Sequence, residues 1–263
     1  MTQIPMGSPA VAHGIGLFET MLVTRGTILF LEEHLARMTR SAKALGFPIP
    51  DAARFREEAA QAVAGFRENE AALRCLHVAG GVSITDPWTF AAQCGPVPQR
   101  TLARRTHGRV ATLDPSLTRA LPEHKLTSYA PCVIGLSHAA AAGAEEGLFV
   151  TRDGAILEGT ATNVFAVIAD RVITAPITAG ILPGITRAWV LAEATSLGIV
   201  IEERAPTLHE LCAGSFLTGS LTGVVAVREV NGRACGEAGA AFEALAERWR
   251  KRIDFPPSEE RRR

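Results

Sequence analysis

Lysine is scarce in this chain, and its scarcity draws attention to one position. Of the 27 basic residues, only Lys43, Lys125 and Lys251 are lysine. Lys43 falls in an alanine-rich amphipathic pattern and Lys251 in a terminal basic run, and both patterns are typical of solvated surface. Lys125 instead follows a loop and precedes an apolar helical pattern. Lysine forms Schiff bases where its surroundings lower the pKa of the amine. Lys125 is therefore a candidate reactive lysine, with an ordinary surface residue as the alternative.

Other features are also missing, and each excludes a class of protein. Acidic and basic residues balance at 27 each, so no net charge is available to attract nucleic acid. No apolar run reaches the roughly 18 residues that a membrane span needs, and no secretory signal pattern is found. The five cysteines are scattered without a C-x-x-C pair, and no cluster of metal ligands occurs. These absences predict a cytoplasmic protein with reduced thiols and no metal site.

One stretch has the pattern of a phosphate-binding turn. A short β-branched strand at residues 172–175 is followed by several prolines and glycines, and a helix then begins at Ile185. Glycine lets backbone N–H groups approach an anion, and a helix start adds unpaired donors and the positive end of the helix dipole. The alternative is an ordinary strand–turn–helix connection. The candidate anion ligands are Gly184, Ile185 and Thr186.

Six ordered segments of the sequence resemble the class IV aminotransferases. This family of pyridoxal-phosphate enzymes includes branched-chain aminotransferases, D-amino acid aminotransferases and aminodeoxychorismate lyases. The segments cover most of residues 14–232, and six in the right order are far more specific than any single motif. The matching segments are residues 16–20 (GLFET), 34–37 (HLAR), 125–129 (KLTSY), 158–165 (EGTATNVF), 182–187 (LPGITR) and 217–223 (LTGSLTG).

The resemblance implies a two-domain α+β fold of the fold-type IV class, with a small α/β sandwich domain and a larger β-barrel-like domain flanked by helices. Hairpin patterns outnumber crossovers along the chain, so a doubly wound sheet is not expected. The expected parts are a small α+β domain at residues 1–115, a linker at 116–123, a larger cofactor-binding domain at 124–255 and a disordered tail at 256–263. The resemblance also implies a homodimer.

The resemblance further implies that Lys125 holds pyridoxal 5'-phosphate as a Schiff base. Glu158 would lie against the pyridine nitrogen, where a carboxylate keeps the ring protonated and able to accept electrons. Tyr129, the only tyrosine of the chain, would reach the phenolic oxygen of the cofactor or, alternatively, only pack at a helix start. The other cofactor contacts implied are Arg37, Leu182, Gly184, Ile185, Thr186, Ser220 and Leu221. The substrate contacts implied are Phe18, Arg74 and Thr222.

Arg74 is the candidate for binding a substrate carboxylate. It falls in a predicted strand at residues 73–79, on the same face as two aliphatic residues. A planar guanidinium binds a carboxylate through two hydrogen bonds. The arginine that follows this strand in D-amino acid aminotransferases is absent, because the chain reads Gly80-Gly81 there. The alternative for Arg74 is an ion pair with a helical carboxylate such as Glu57 or Glu58.

The sequence is compatible with two reactions. We favour transfer of an amino group between an amino acid or amine and a 2-oxo acid, with aminodeoxychorismate lyase as the alternative. The spacing from Lys125 to Tyr129 resembles the lyase and D-amino acid branches more than the branched-chain branch. A non-catalytic scaffold is a third, more remote possibility, and the joint presence of Lys125, Glu158, Arg37 and Thr186 argues against it.

Overall fold

The computed structural model describes residues 4–256. Apart from Pro256, the disordered tail predicted from the sequence lies outside the described residues. The described chain divides into two compact units. The first is formed by the described parts of residues 1–97, 124–129 and 254–263, and the second by residues 98–123 and 130–253. The domain boundaries predicted from the sequence stay a prediction.

The first unit is an antiparallel sheet with the strand order β2-β1-β3-β4 and two long helices packed against it. Leu31, Leu35, Met38 and Ala42 form the apolar stripe of α2, which is buried against the sheet. The elements of the first unit are, in order, α1 (Pro9–His13), β1 (Gly16–Thr24), β2 (Thr27–Ile28), α2 (Leu31–Leu45), α3 (Ala52–Ala64), β3 (Glu70–Val78) and β4 (Thr89–Gly95).

The helix boundaries of the first unit follow from capping residues. Asp51 precedes α3, and its side chain accepts a hydrogen bond of 2.8 Å from the backbone N–H of Arg54, as its residue type predicts. Helix α2 ends at Gly46, which adopts a left-handed φ of 67° that glycine tolerates without strain. These caps fix the length of both helices and hence the face that each presents to the sheet.

The second unit is built around a mixed ten-stranded sheet. The strand order is β10-β9-β8-β7-β6-β5-β13-β14, and β11 pairs with both β8 and β12. Its elements are α4 (Gln99–His107), β5 (Arg109–Thr112), α5 (Ala130–Ala141), β6 (Glu146–Val150), β7 (Ile156–Gly159), β8 (Asn163–Ile168), β9 (Arg171–Thr174), a 3-10 turn (Ile177–Ala179), α6 (Ile185–Ser196), β10 (Ile201–Glu203), α7 (Leu208–Ala213), β11 (Ser215–Gly219), β12 (Gly223–Val227), β13 (Glu229–Val230), β14 (Arg233–Ala234) and α8 (Gly239–Asp254).

The predicted α+β class is confirmed, and two local expectations need correction. The sequence of residues 225–230 predicts one strand, but these residues belong to two, because β12 pairs with β11 while β13 pairs with β5. The apolar pattern after Lys125 predicts a helix from residue 128, but the helix begins at Ala130. Residues 125–127 instead run beside β1, with a hydrogen bond of 2.9 Å from Thr127 N–H to the Gly16 carbonyl. Helix α4 was not anticipated at all.

The fold also bears on two of the predicted absences. Within residues 4–256, no helix has both the length and the apolar character needed to cross a membrane. The same residues contain no group of three or more histidine, cysteine or acidic side chains arranged to hold a metal ion.

Candidate active site

Lys125 lies in an extended segment of the first unit, beside β1. Its carbonyl oxygen accepts a hydrogen bond of 3.0 Å from Phe18 N–H. Its Nζ lies 4.5 Å from the centroid of the Phe18 ring and 5.6 Å from that of Tyr129. The two rings pack edge to face, with their centroids 5.1 Å apart. The predicted lysine, its tyrosine and Phe18 therefore form one cluster, in which the amine is half-buried against aromatic faces.

Arg37, Glu19 and His34 form a buried group on the opposite face of β1. The guanidinium of Arg37 donates from Nε to Glu19 Oε1 at 2.9 Å and from Nη2 to Oε2 at 2.5 Å, and His34 Nδ1 lies 2.6 Å from Oε2. All three side chains are buried. Burial by itself raises the pKa of Glu19, but Arg37 and His34 outweigh it and lower that pKa to about 2. The contact predicted between Arg37 and the cofactor phosphate remains a prediction; in the structure its guanidinium is fixed by Glu19.

His34 carries no charge at neutral pH. Burial lowers the pKa of its imidazole, and the neighbouring carboxylate of Glu19 only partly opposes this effect. Because an ionised carboxylate can only accept hydrogen bonds, the proton of the neutral ring must lie on Nδ1. His34 therefore acts as a neutral donor that helps to orient Glu19.

Arg74 lies on β3, opposite Thr20 of β1, and is exposed between the buried Leu73 and Cys75. Its Cζ lies 4.6 Å from the centroid of the Phe18 ring, so Arg74 and Lys125 contact the same aromatic side chain. The carboxylates considered as its structural partners are engaged by other side chains. Arg54 donates to Glu58 at 2.6 Å, and Gln61 donates to Glu57 at 3.1 Å.

Glu158 is buried at the end of β7 in the second unit. Its Oε2 accepts hydrogen bonds from Leu182 N–H at 3.0 Å and from Asn163 Nδ2 at 3.3 Å. Its Oε1 forms an ion pair with Arg119, which also donates to the Pro122 carbonyl at 2.9 Å. The sequence did not point to Arg119, because nothing in its local pattern marks it. These contacts fix the position of the carboxylate.

The predicted phosphate-binding turn is built around Gly184, which caps α6. A Cβ on Gly184 would lie 1.9 Å from Oδ1 of Asn163, so only glycine fits there. Within the described chain, no side chain caps the N–H groups at the start of α6. The buried hydroxyls of Thr186 and Thr218 likewise find no hydrogen-bond partner among residues 4–256. Thr218 lies opposite Asn163 on the adjoining strands β11 and β8, and α6 packs against β11.

These groups meet the requirements of a phosphate group. A phosphate accepts hydrogen bonds from the N–H groups of a helix start and from hydroxyls, and it interacts favourably with the positive end of the helix dipole. Buried hydroxyls without partners are costly unless a ligand satisfies them. Thr186 was named from the sequence, whereas Thr218 was not, although its loop was. The residues of the second unit therefore fit the phosphate of the predicted cofactor.

A second loop, residues 220–222, connects β11 to β12. Arg105 of α4 donates to the Leu221 carbonyl from Nε at 2.8 Å and from Nη2 at 2.5 Å. Arg104 Nη1 donates to Thr222 Oγ1 at 3.1 Å. Both arginines were missed, because α4 itself was missed. The hydroxyl of Thr222, predicted to contact substrate, accepts a hydrogen bond from a protein arginine, and its predicted role remains untested.

The second unit thus has donors that fit a phosphate group, and the first has a lysine and an exposed arginine around one aromatic ring. Together with the two-sheet fold, these features define the class of fold-type IV pyridoxal-phosphate enzymes. The chain belongs to the class IV aminotransferase family, whose model matches residues 16–230.

Three similar proteins illustrate the range of this family. The bifunctional aminodeoxychorismate lyase / D-amino acid transaminase of Mycobacterium tuberculosis is 34% identical over 245 residues, which cover 85% of this chain and 84% of that protein. The branched-chain-amino-acid aminotransferase of Pseudomonas aeruginosa is 29% identical over 248 residues, covering 85% and 78%. A PLP-bound structure of a hypothetical aminotransferase from M. tuberculosis matches with a TM-score of 0.83 at 30% identity, over 96% of this chain and 94% of that one. The predicted family and fold class are confirmed, and these relatives support the predicted cofactor.

Proposed function

We propose that this protein is a pyridoxal-phosphate-dependent transaminase that moves an amino group between an amino acid and a 2-oxo acid, with Lys125 as the lysine that binds the cofactor. The observation that carries this proposal is the position of Lys125, half-buried against Phe18 and Tyr129. Lys43 and Lys251 are exposed instead. These contacts hold the Lys125 amine in one place beside the two rings, as a lysine that reacts with the cofactor aldehyde requires.

The cofactor, when bound, supplies an electron sink for the substrate's α-carbon. Lys125 moves a proton to and from that carbon through its Nζ, which requires a neutral amine. Glu158 would hold a proton at the ring nitrogen, and Arg119 and Leu182 N–H keep its carboxylate in place. The other proposed cofactor contacts are Arg37, Tyr129, Leu182, Gly184, Ile185, Thr186, Ser220 and Leu221.

Chemical labelling tests the proposal directly. The purified protein is incubated with pyridoxal phosphate, reduced with borohydride and digested, and the labelled peptide is identified by mass spectrometry. We expect the label on Lys125, because only the amine at the binding site is held in place for reaction with the aldehyde. A label on Lys43 or Lys251 alone, or no label at all, contradicts the proposal.

Aminodeoxychorismate lyase is a second candidate, favoured by the spacing from Lys125 to Tyr129 and by the double activity that the M. tuberculosis relative carries in its name. The two candidates differ in their need for an acceptor. A transaminase turns over repeatedly only with a 2-oxo acid acceptor such as pyruvate or 2-oxoglutarate, whereas a lyase forms 4-aminobenzoate from aminodeoxychorismate without one. Parallel assays with both substrate sets separate the candidates.

A homodimer is the remaining expectation. Sedimentation at micromolar concentration tests it.

We expect Arg74→Leu to raise KM for a carboxylate substrate by roughly 10- to 100-fold. The reason is the loss of a charged hydrogen bond, which contributes about 1.5–3 kcal/mol. The absorption spectrum of the bound cofactor should not change, because Arg74 is proposed to contact substrate only. Arg56→Leu is the matched control, since Arg56 pairs with Glu32 at 2.7 Å in the same unit. An unchanged KM in Arg74→Leu, or loss of cofactor together with fold, would show that Arg74 is structural.

A further inference from the structure

Helix α4 contacts the loop at residues 220–222 through two consecutive arginines. Arg105 donates twice to the Leu221 carbonyl, and Arg104 donates once to the Thr222 hydroxyl. The loop has only three residues between β11 and β12. Two of its three residues are thus bound to one helix. Charged donors make stronger hydrogen bonds than neutral ones, so these contacts restrain the loop more firmly than backbone contacts alone would.

Arg104 is itself fixed by a buried network. Its Nη2 lies 3.3 Å from Glu146 Oε2 and donates to the Glu145 carbonyl at 3.1 Å. Glu146 is fully buried and accepts hydrogen bonds from Thr160 N–H and from Thr162 Oγ1, both at 3.0 Å. The ion pair therefore links the loop at residues 220–222 to the turn that follows Glu158. An arginine held in this way cannot change its direction without breaking its ion pair with the buried Glu146.

The turn that follows Glu158 and the strand end before the loop are also in close contact. A Cβ on Gly219 would lie 3.2 Å from the Ala161 carbonyl oxygen. The end of β11 therefore lies close beside that turn, and the loop that follows it is bound by α4. These neighbours restrain the conformation of the loop.

The direction of these bonds determines where the loop's donors point. In a trans peptide the C=O and N–H groups point in opposite directions. Since the Leu221 carbonyl points to Arg105, the N–H of Thr222 points away from α4. The Thr222 hydroxyl uses an oxygen lone pair for Arg104, so its own proton remains available to another acceptor. The Thr222 N–H is therefore turned away from the helix that binds the loop, and the Thr222 hydroxyl proton is not used by Arg104.

We propose that Arg104 and Arg105 are positioning residues, which hold residues 220–222 in the conformation that binds the phosphate of the cofactor. This inference rests on the proposed function, because it takes pyridoxal phosphate as the ligand. The arginines act through the loop: they orient its donors before the ligand arrives, so that binding does not have to order the loop. Their effect is accordingly specific to the phosphate group.

The test compares Arg105→Ala with the wild-type protein, using pyridoxal phosphate and pyridoxal, which lacks the phosphate. Dissociation constants are measured for both by fluorescence and absorbance titration. We expect Arg105→Ala to weaken binding of pyridoxal phosphate by about 10- to 100-fold, as the loss of charged hydrogen bonds implies. Binding of pyridoxal should stay within about twofold of wild type. Arg105→Lys retains a charged donor and should recover part of the loss.

Arg100→Ala is the matched control, because Arg100 lies on the same helix and is exposed. It should bind both ligands as the wild type does. Unchanged binding of pyridoxal phosphate in Arg105→Ala, or equal weakening of both ligands, overturns the inference. If Arg105→Ala does not fold, Arg105→Gln, which removes the charge but keeps most of the side chain, carries the same comparison. A wild-type protein that binds neither ligand would overturn the proposed function itself, so the two failures are distinguishable.

Discussion

Lys125→Ala is expected to lower kcat by at least about a thousandfold, because no other side chain can replace the amine. A general acid–base group contributes about 10²–10⁴ to a rate, and covalent binding of the cofactor adds to that. The other two lysines are exposed and cannot substitute, because Lys43 lies on α2 and Lys251 pairs with Glu247 on α8 at 2.7 Å. The variant should also release pyridoxal phosphate on gel filtration, since only non-covalent contacts remain.

Two measurements distinguish the loss of this amine from damage to the fold. Far-UV circular dichroism and the thermal midpoint of Lys125→Ala should match those of the wild type, since the side chain is only half-buried. A small primary amine such as methylamine, added to the assay, should restore part of the proton transfer. Lys43→Ala and Lys251→Ala are the controls and should retain wild-type activity. If Lys125→Ala keeps more than about a tenth of the activity, Lys125 is not the reactive lysine.

Much of the first unit could be predicted from the sequence, because local patterns and burial agree there. The alternation in residues 73–79 predicted the two faces of β3, and the structure exposes Arg74 between the buried Leu73 and Cys75. The capping role of Asp51 followed from its residue type and position. Such features depend on neighbours within a few residues, and these are visible in the sequence.

Helix α4 could not be predicted, because the contacts that stabilise it are with residues far away in the sequence. Its sequence, QRTLARRTH, has few apolar residues and no helical stripe that stands out. What fixes it are the contacts of Arg104 and Arg105 with Thr222 and Leu221, more than a hundred residues later. Arg119 was missed for the same reason, since its partner Glu158 is 39 residues away. Motif resemblance identifies groups that contact ligands, but not the residues that hold those groups in place.

The strongest effect on stability is expected from Glu19→Gln. The carboxylate of Glu19 balances the charge of the buried Arg37 and accepts a hydrogen bond from His34. Removing one partner of a buried ion pair leaves the other charge without compensation, which typically costs about 3–5 kcal/mol. Glutamine has nearly the same size as glutamate, so the substitution leaves no cavity. The decrease in unfolding free energy therefore measures the loss of charge and hydrogen bonding. Urea unfolding at pH 7 measures it.

Glu58→Gln is the matched control for this variant. Glu58 pairs with Arg54 at 2.6 Å, but the arginine side chain is 52% exposed and the pair lies on the surface of α3. Exposed pairs contribute only about 0–1 kcal/mol, because water screens them. The control should therefore unfold within about 1 kcal/mol of the wild type. Equal effects in the two variants would show that the buried carboxylate has no special role.

The same group makes the stability of the wild-type protein depend on pH in a defined direction. The pKa of Glu19 is about 2 in the fold, against an ordinary value of 4.5. The unfolded chain therefore takes up the proton first as the pH falls, so the contribution of Glu19 is complete above about pH 4.5 and is lost between there and pH 2. His34 also lowers the unfolding free energy as the pH falls below about 6.5. Burial lowers its pKa in the fold, so the unfolded chain binds the proton first. Unfolding free energies measured between pH 7 and pH 3 should fall less steeply below pH 4.5 in Glu19→Gln than in the wild type. Parallel curves for the two proteins would mean that Glu19 is not held ionised by Arg37.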